Sequence, residues 1–508
     1  MNAAGALADL RERAAELSDL RGIGALLFWD QNTKMPPNGM GTRADALATL
    51  ERVGHERLTD PGLARTLEAL AAWAAEADPE SPDAQMVSRL RRDHEKAVRV
   101  PTALAAEMSF AAALGHQAWL EARAAADFGR FRDALERQIE LRHRYAACFD
   151  GTGAFAHPYD VLLDDYEPGL TAAELRPLFT GLRDALVPLV ATASAGSSAS
   201  NPFVGTFPVA GQQAALREVL AAVGFEPDGW RLDETVHPFA QRLGPGDVRI
   251  TTRWEEHDLA MALFSVLHEF GHGLYEAQMD PALDRTTLTE PAGLGIHESQ
   301  SRMWENVIGR SRAFAVWLLP ILRRHLPGFE AMDPDAFFIA VNAVRPSLIR
   351  IEADETTYNL HVVLRFELEL AMLEQRLEVR DLPDAWAEGM DRLLGLEVPG
   401  PVEGVLQDIH WAAGMIGYFP TYTLGNLMTA QLWGALSVDV PDVDERIARG
   451  DFAAIREWLG EHVHRVGRRL DPREILRRAT GEPLRPEPFL EYLETKLLDA
   501  GILQDARA

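Results

Sequence analysis

At 508 residues, with 47% hydrophobic and 25% charged content, the chain is long enough to bury a large core and has the balance of an ordinary globular protein. A net charge of −27 argues against nucleic acid as a partner, since phosphate binding needs a local excess of Lys and Arg, and the acidic residues read as a solvated surface. One cysteine, Cys148, excludes a disulfide framework and thiolate metal clusters, and neither a signal-like leader nor an apolar run of about 18 residues is found, so the expectation is a cytoplasmic protein without a membrane partner.

Ala, Leu, Arg and Glu at amphipathic spacing predict helices over residues 7–20, 43–58, 62–77, 84–98, 103–125 and 131–148. The Ser- and Ala-rich run at 191–201 reads as a flexible surface loop between two helical segments. Strand signals are few. The best is at 247–254, where alternation puts Val248, Ile250 and Thr252 on one face and Asp247, Arg249 and Thr251 on the other. No internal repeat or domain boundary is visible. The expected fold is mainly α, a single large helical body over residues 1–508 with a small sheet near the site described next.

Leu259, Leu263, Val266, Leu267, Phe270 and Leu274 recur at helical spacing and predict a helix over about 258–278. It carries His268-Glu269-Phe270-Gly271-His272, an H-E-x-x-H pattern. Histidines at i and i+4 share a helical face and can both reach one Zn²⁺; Glu269, about 100° further round, can take a proton from a water there without being a ligand. Gly271 and Gly273 oppose the helix by about 1 kcal/mol each, which implies that another backbone passes close by, as a third ligand's helix would. Otherwise the pattern is a surface helix with a chance pair of histidines.

A catalytic zinc needs a third protein ligand and an open position. After the breakers Pro291, Gly293 and Gly295, a second helix begins near Ile296, and Glu298 lies far enough past His272 for the chain to loop and return beside the first helix. Glu298 is the preferred third ligand, with His297 and Glu305 as alternatives.

Along nearly its whole length the sequence resembles the carboxypeptidase Taq family of zinc metallocarboxypeptidases. The carrying strings are His237-Pro238-Phe239, the Asp247/Arg249/Thr251 pattern, the five-residue motif, His297-Glu298-Ser299-Gln300, Ile349-Arg350 with Ala353-Asp354, and 404–411 with Gln407-Asp408 and His410-Trp411. Phe28-Trp29-Asp30-Gln31 with Met35-Pro36-Pro37, and Pro158-Tyr159-Asp160 with 164–168, match as well. The resemblance implies a helical homodimer with a deep groove that removes C-terminal residues from peptides with broad tolerance. It implies one zinc per chain on His268, His272 and Glu298, replaceable by cobalt, and Glu269 as the base. Where thermolysin-like enzymes place an acid one turn past the third ligand, this chain has Arg302, which leaves the partner of the histidines open.

An enzyme confined to chain ends must hold a terminal carboxylate. Arg350 is the first candidate and Arg249 the second, although Arg350 can instead pair with Asp354, and Arg249 with Asp247. Tyr418 and Tyr422 are candidate donors to the oxyanion, and His237 and His410 candidate substrate contacts; each is also an ordinary packing residue when taken alone. The alternatives to a carboxypeptidase are a helical zinc oligopeptidase cutting internally and a non-catalytic peptide-binding scaffold.

Overall fold

Helices form where the amphipathic spacing predicts them, and side-chain caps fix their starts. The computed structural model describes residues 2–504 and is 67% helical. The first five helices are Ala3–Thr33, Met40–Leu58, Pro61–Ala69, Ala71–Glu76 and Pro82–Arg99. Asn2, Asp60 and Ser81 accept from the first-turn amides of three of them. The helix expected over 62–77 is broken at Leu70, and the one expected over 7–20 runs on to Thr33. Leu10, Leu63, Leu67 and Leu90 bury one another against Leu283 and Leu288 in an apolar cluster of their own, apart from the main core. Charged pairs join this unit to the body: Asp93 to Arg468 at 2.6 Å, and Arg92 and Lys96 to Asp164 at 2.8 Å each.

One further expectation is corrected, and the expected small sheet is present. The run at 191–201 is helical in its first half, because helix Ala172–Gly196 continues through it with Ala193 fully buried and Gly196 meeting the Ile502 carbonyl. The sheet has three strands, β1 (Trp230–Glu234), β2 (Ala240–Gly244) and β3 (Asp247–Thr252), in the order β1-β3-β2, with β3 parallel to β1 and antiparallel to β2. Only β3 is read from the sequence, since in β1 the alternation of Trp230 and Leu232 stops at the acidic pair Asp233-Glu234, and β2 has none. Val248 and Ile250 are buried, and Thr251 is buried too, its hydroxyl tied to both Phe239 backbone groups.

The sheet lies behind helix Leu259–Ala277. On the opposite side pack helix Leu294–Arg302 and, beyond it, Pro420–Asp439, while the almost wholly buried helix Glu355–Leu373 completes the centre. Among the described residues, no single helix is long and apolar enough to cross a membrane.

Candidate metal and active site

Asp258 caps helix Leu259–Ala277 by accepting from Met261 N–H, and the two motif histidines stand one turn apart on its face. Gly271 is the reason the neighbouring helix can approach. A side chain there would meet the Gln300 carbonyl and lie 2.7 Å from Ser301 Cα. Gly273 has a different cause from the one expected: it makes room for the side chains of Trp230 and Val248, not for a backbone.

The close approach brings Glu298 to the histidines. Nε2 of His268 and Nε2 of His272 are 3.2 Å apart, and Glu298 Oε2 lies 3.8 and 3.5 Å from them. Ligands about 2.0–2.1 Å from a tetrahedral zinc stand about 3.3–3.4 Å from each other, so these separations are close to the edges of a tetrahedron around one ion. Among the described residues, this is the one His, Cys, Asp and Glu group whose ligand atoms converge, all within 4.8 Å of one another. Gly425 on helix Pro420–Asp439 leaves room for Glu298, whose Cγ lies 2.6 Å from where a Cβ would stand.

The alternative ligands have other work. Glu305, in the π-helical turn Met303–Ile308, takes His268 Nδ1 at 2.8 Å, which fixes the tautomer with the Nε2 lone pair facing the other two groups. His297 stacks on His272 with centroids 4.2 Å apart and has Nε2 3.3 Å from Glu276. Arg302 donates to Glu298 Oε1 at 2.7 Å and to Glu305 Oε2 at 3.2 Å, so the basic residue that replaces the thermolysin-type acid clamps both carboxylates and leaves Glu298 Oε2 for the cation. The histidine partner is thus Glu305, seven positions after Glu298 in the chain instead of four.

The electrostatics favour positive charge between these groups. Burial alone would raise the Glu298 carboxyl, but Arg302 and the histidines outweigh it and hold it well below the usual carboxylate range. His268 shows the complementary balance: burial works against its charged form, yet Glu298 and Glu305 raise it above the ordinary imidazole value. Glu269 is buried, and burial pushes its carboxyl up to about 7, with Glu298 and Glu305 adding to the shift against the pull of His268. That value suits proton exchange near neutrality.

The other expected residues divide into two groups. Arg350 lies buried in a short 3₁₀ turn, donating to Asp408 Oδ1 from Nε and NH2 at 3.1 and 2.8 Å and from NH1 to the Tyr358 hydroxyl at 2.8 Å. Asp354 is not its partner; that carboxylate caps helix Glu355–Leu373 through Thr356 and Thr357 N–H. Arg365 holds the other Asp408 oxygen, Nε to Oδ2 at 2.7 Å, so two guanidiniums face one carboxylate. Tyr422 lies under Arg350 at 4.8 Å, its hydroxyl 3.2 Å from His410 Nε2, and the Tyr418 ring packs edge-on against it with centroids 5.3 Å apart. Burial and Arg350 push His410 down to about 3, so it is neutral, while burial and Glu298 push Tyr418 up to about 12, so it keeps its proton. Tyr358, beneath both Arg350 and Arg302, connects this group with the metal triad.

Arg249 and His237 stand apart. Arg249 is engaged by Asp247 at 2.9 and 2.8 Å and by the face of Trp29, and His237 is exposed in the connection between β1 and β2. Asp408 as the partner of Arg350, and Arg365, Tyr358 and Glu369 altogether, are not among the residues expected from the sequence. A signal existed for the last three, since Tyr358, Arg365 and Glu369, at i, i+7 and i+11, form a polar stripe beside the apolar residues Leu360, Val362, Val363, Leu364, Phe366, Leu368 and Leu370, and such a stripe needs buried partners.

A helical scaffold that converges H-E-x-x-H and a distant glutamate on one cation position is that of a metallopeptidase. The chain matches the model of the carboxypeptidase Taq (M32) metallopeptidases over residues 9–497. It is 40% identical over 496 residues to thermostable carboxypeptidase 1 of Thermus thermophilus, covering 96% of this chain and 97% of that one, and 38% identical over 491 residues to carboxypeptidase 1 of Bacillus subtilis, covering 96% of both. The crystal structure of an M32 carboxypeptidase from Deinococcus radiodurans superposes with a TM-score of 0.93 at 41% identity over 98% of this chain and 100% of that one. Trypanosoma cruzi metallocarboxypeptidase 1 does so at 0.93 and 33%, over 97% and 99%. The protein belongs to the carboxypeptidase Taq (M32) metallopeptidase family.

Proposed function

We propose that the protein is a zinc-dependent carboxypeptidase of broad specificity in which Glu269 is the general base. The observation that carries this is the convergence of His268, His272 and Glu298 beside a buried carboxyl at about 7. Zinc held by those three side chains would supply a Lewis acid and a water acidic enough to ionise near neutral pH, and cobalt would substitute.

The remaining steps belong to the chain's own residues. Glu269 accepts the proton of the attacking water and returns it to the leaving amine. Tyr418 donates to the oxyanion: burial and Glu298 keep its proton in place, its ring packs on Tyr422 with centroids 5.3 Å apart, and His410 backs Tyr422. Arg350 with Arg365 leaves one positive charge unbalanced by Asp408, and a substrate's terminal carboxylate supplies the missing anion. Arg249 and His237, engaged or exposed at the sheet, are assigned no part. The expected homodimer and cytoplasmic location are proposed with the same enzyme, and sedimentation measures the first.

The test is a peptide series in free-acid and C-terminally amidated forms, with products read by mass before and after chelation. A carboxypeptidase releases single residues from the acids alone, loses activity on chelation and regains it with Zn²⁺ or Co²⁺. Internal cleavage of both forms would establish the oligopeptidase instead, and no cleavage the binding scaffold.

A further inference from the structure

Tyr358, Arg365 and Glu369 share one face of helix Glu355–Leu373, at i, i+7 and i+11. Tyr358 meets Arg350 and Arg365 holds Asp408, but Glu369 has a separate set of partners and no place in the chemistry above. Its carboxylate is fully buried and accepts three hydrogen bonds: Trp411 Nε1 on Oε1 at 2.8 Å, and the Tyr159 hydroxyl at 2.8 Å and Gly417 N–H at 3.1 Å on Oε2. Trp411 directly follows His410, and Gly417 directly precedes Tyr418. One carboxylate therefore fastens both ends of the loop between them.

The cost of that arrangement argues for a purpose. A buried carboxyl is unfavourable even with donors, and burial still pushes this one up to about 7 against the three hydrogen bonds. An apolar side chain of similar size would fill the space, but it would not select one loop geometry as a fully bonded polar group does. Gly417 narrows the choice further, since its φ is +91° and a side chain there would stand 3.0 Å from the backbone of Leu162 and Leu163. The residue before Tyr418 is thus fixed from both sides, by Glu369 and by the helix Pro158–Leu163 behind it.

We propose that Glu369 is a positioning residue that acts through the Gly417 amide to aim the Tyr418 hydroxyl at the oxyanion. This rests on Tyr418 being the donor.

The test is a double-mutant cycle on the metal-loaded, full-length enzyme with Glu369→Gln, Tyr418→Phe and the pair, reading kcat and KM separately and confirming metal content and melting temperature. Tyr418→Phe alone is expected to lower kcat by about 10²-fold, the loss for one oxyanion donor, and Glu369→Gln by about 10-fold with KM within about threefold of wild type. The pair should then fall within about threefold of Tyr418→Phe, because there is no hydroxyl left to aim. Losses that multiply in full would overturn the role of Glu369 and leave Tyr418 intact as donor, as would a Glu369→Gln effect confined to KM. Wild-type kcat in Tyr418→Phe would remove the donor assignment itself, and Glu369 with it. If Glu369→Gln melts early, Tyr159→Phe, which deletes one donor to the same oxygen, supplies the cycle with the same criteria.

Discussion

Each residue of the site takes its role from what surrounds it. Glu269 has no hydrogen-bond partner among the described residues, and burial with two neighbouring carboxylates keeps its proton affinity near neutrality. Glu269→Gln preserves size and leaves His268, His272 and Glu298 in place, so metal content should be unchanged while kcat falls by at least about 10²-fold, the lower range for proton-transfer catalysis. Retention of more than a tenth of the rate would end its assignment as base. Arg350 is a sharper case, because Asp408 and Tyr358 already occupy its donors and a structural role competes with a binding one. Arg350→Ala should lose about 1.5–3 kcal/mol in kcat/KM on free-acid peptides, the scale of a hydrogen bond to a charged group, and far less on amides. Equal losses on both would mean that Arg350 serves Asp408 alone.

Elements place these residues, and they differ in how much the sequence discloses. The motif helix is legible because periodicity is a local property: expected over about 258–278, it runs Leu259–Ala277. Glu298 was accessible through Gly271, a glycine whose cost in a helix requires a close neighbour. Glu305 was visible only as a possible ligand, since its partnership with His268 depends on a π-helical turn that no periodicity announces. Asp408, which lies 58 positions from Arg350, is not legible as its partner, whereas Asp354 at i+4 is near in sequence but caps helix Glu355–Leu373 instead. Two outcomes follow for the helix that carries Glu298. Glu305→Ala frees the His268 ring, so chelator competition should show metal affinity down by about 10–100-fold, the usual effect of losing a histidine's outer partner. At the start of the same helix, Glu167 accepts from Gly295 N–H while fully buried, and burial pushes its carboxyl from 4.5 up to about 7. A raised carboxyl pKa contributes stability that is complete below 4.5 and is lost as the pH rises through about 7. Glu167→Gln should therefore unfold at higher temperature than wild type at pH 8, by the equivalent of about 1–3 kcal/mol, and match it at pH 5.

At the scale of the whole molecule, the main core encloses the metal helices, whereas the first five helices share a separate apolar cluster with Leu283 and Leu288, touch the sheet through Phe28 and Trp29, and are joined to the body by charged pairs as well. Apolar burial is indifferent to ionic strength at physiological concentrations, but partly exposed ion pairs are screened by it. Raising salt from 0.05 to 1 M should accelerate amide hydrogen exchange across residues 3–99 and leave helix Leu259–Ala277 protected, as mass spectrometry of peptic fragments would show; uniform exchange in both regions would mean that the two open together. The seam between Asp93, Arg92 and Lys96 on one side and Arg468 and Asp164 on the other is thus a line of weakness with a chemical handle. An engineer wishing to loosen or lock the N-terminal unit without touching the metal helices would change the charges along that line.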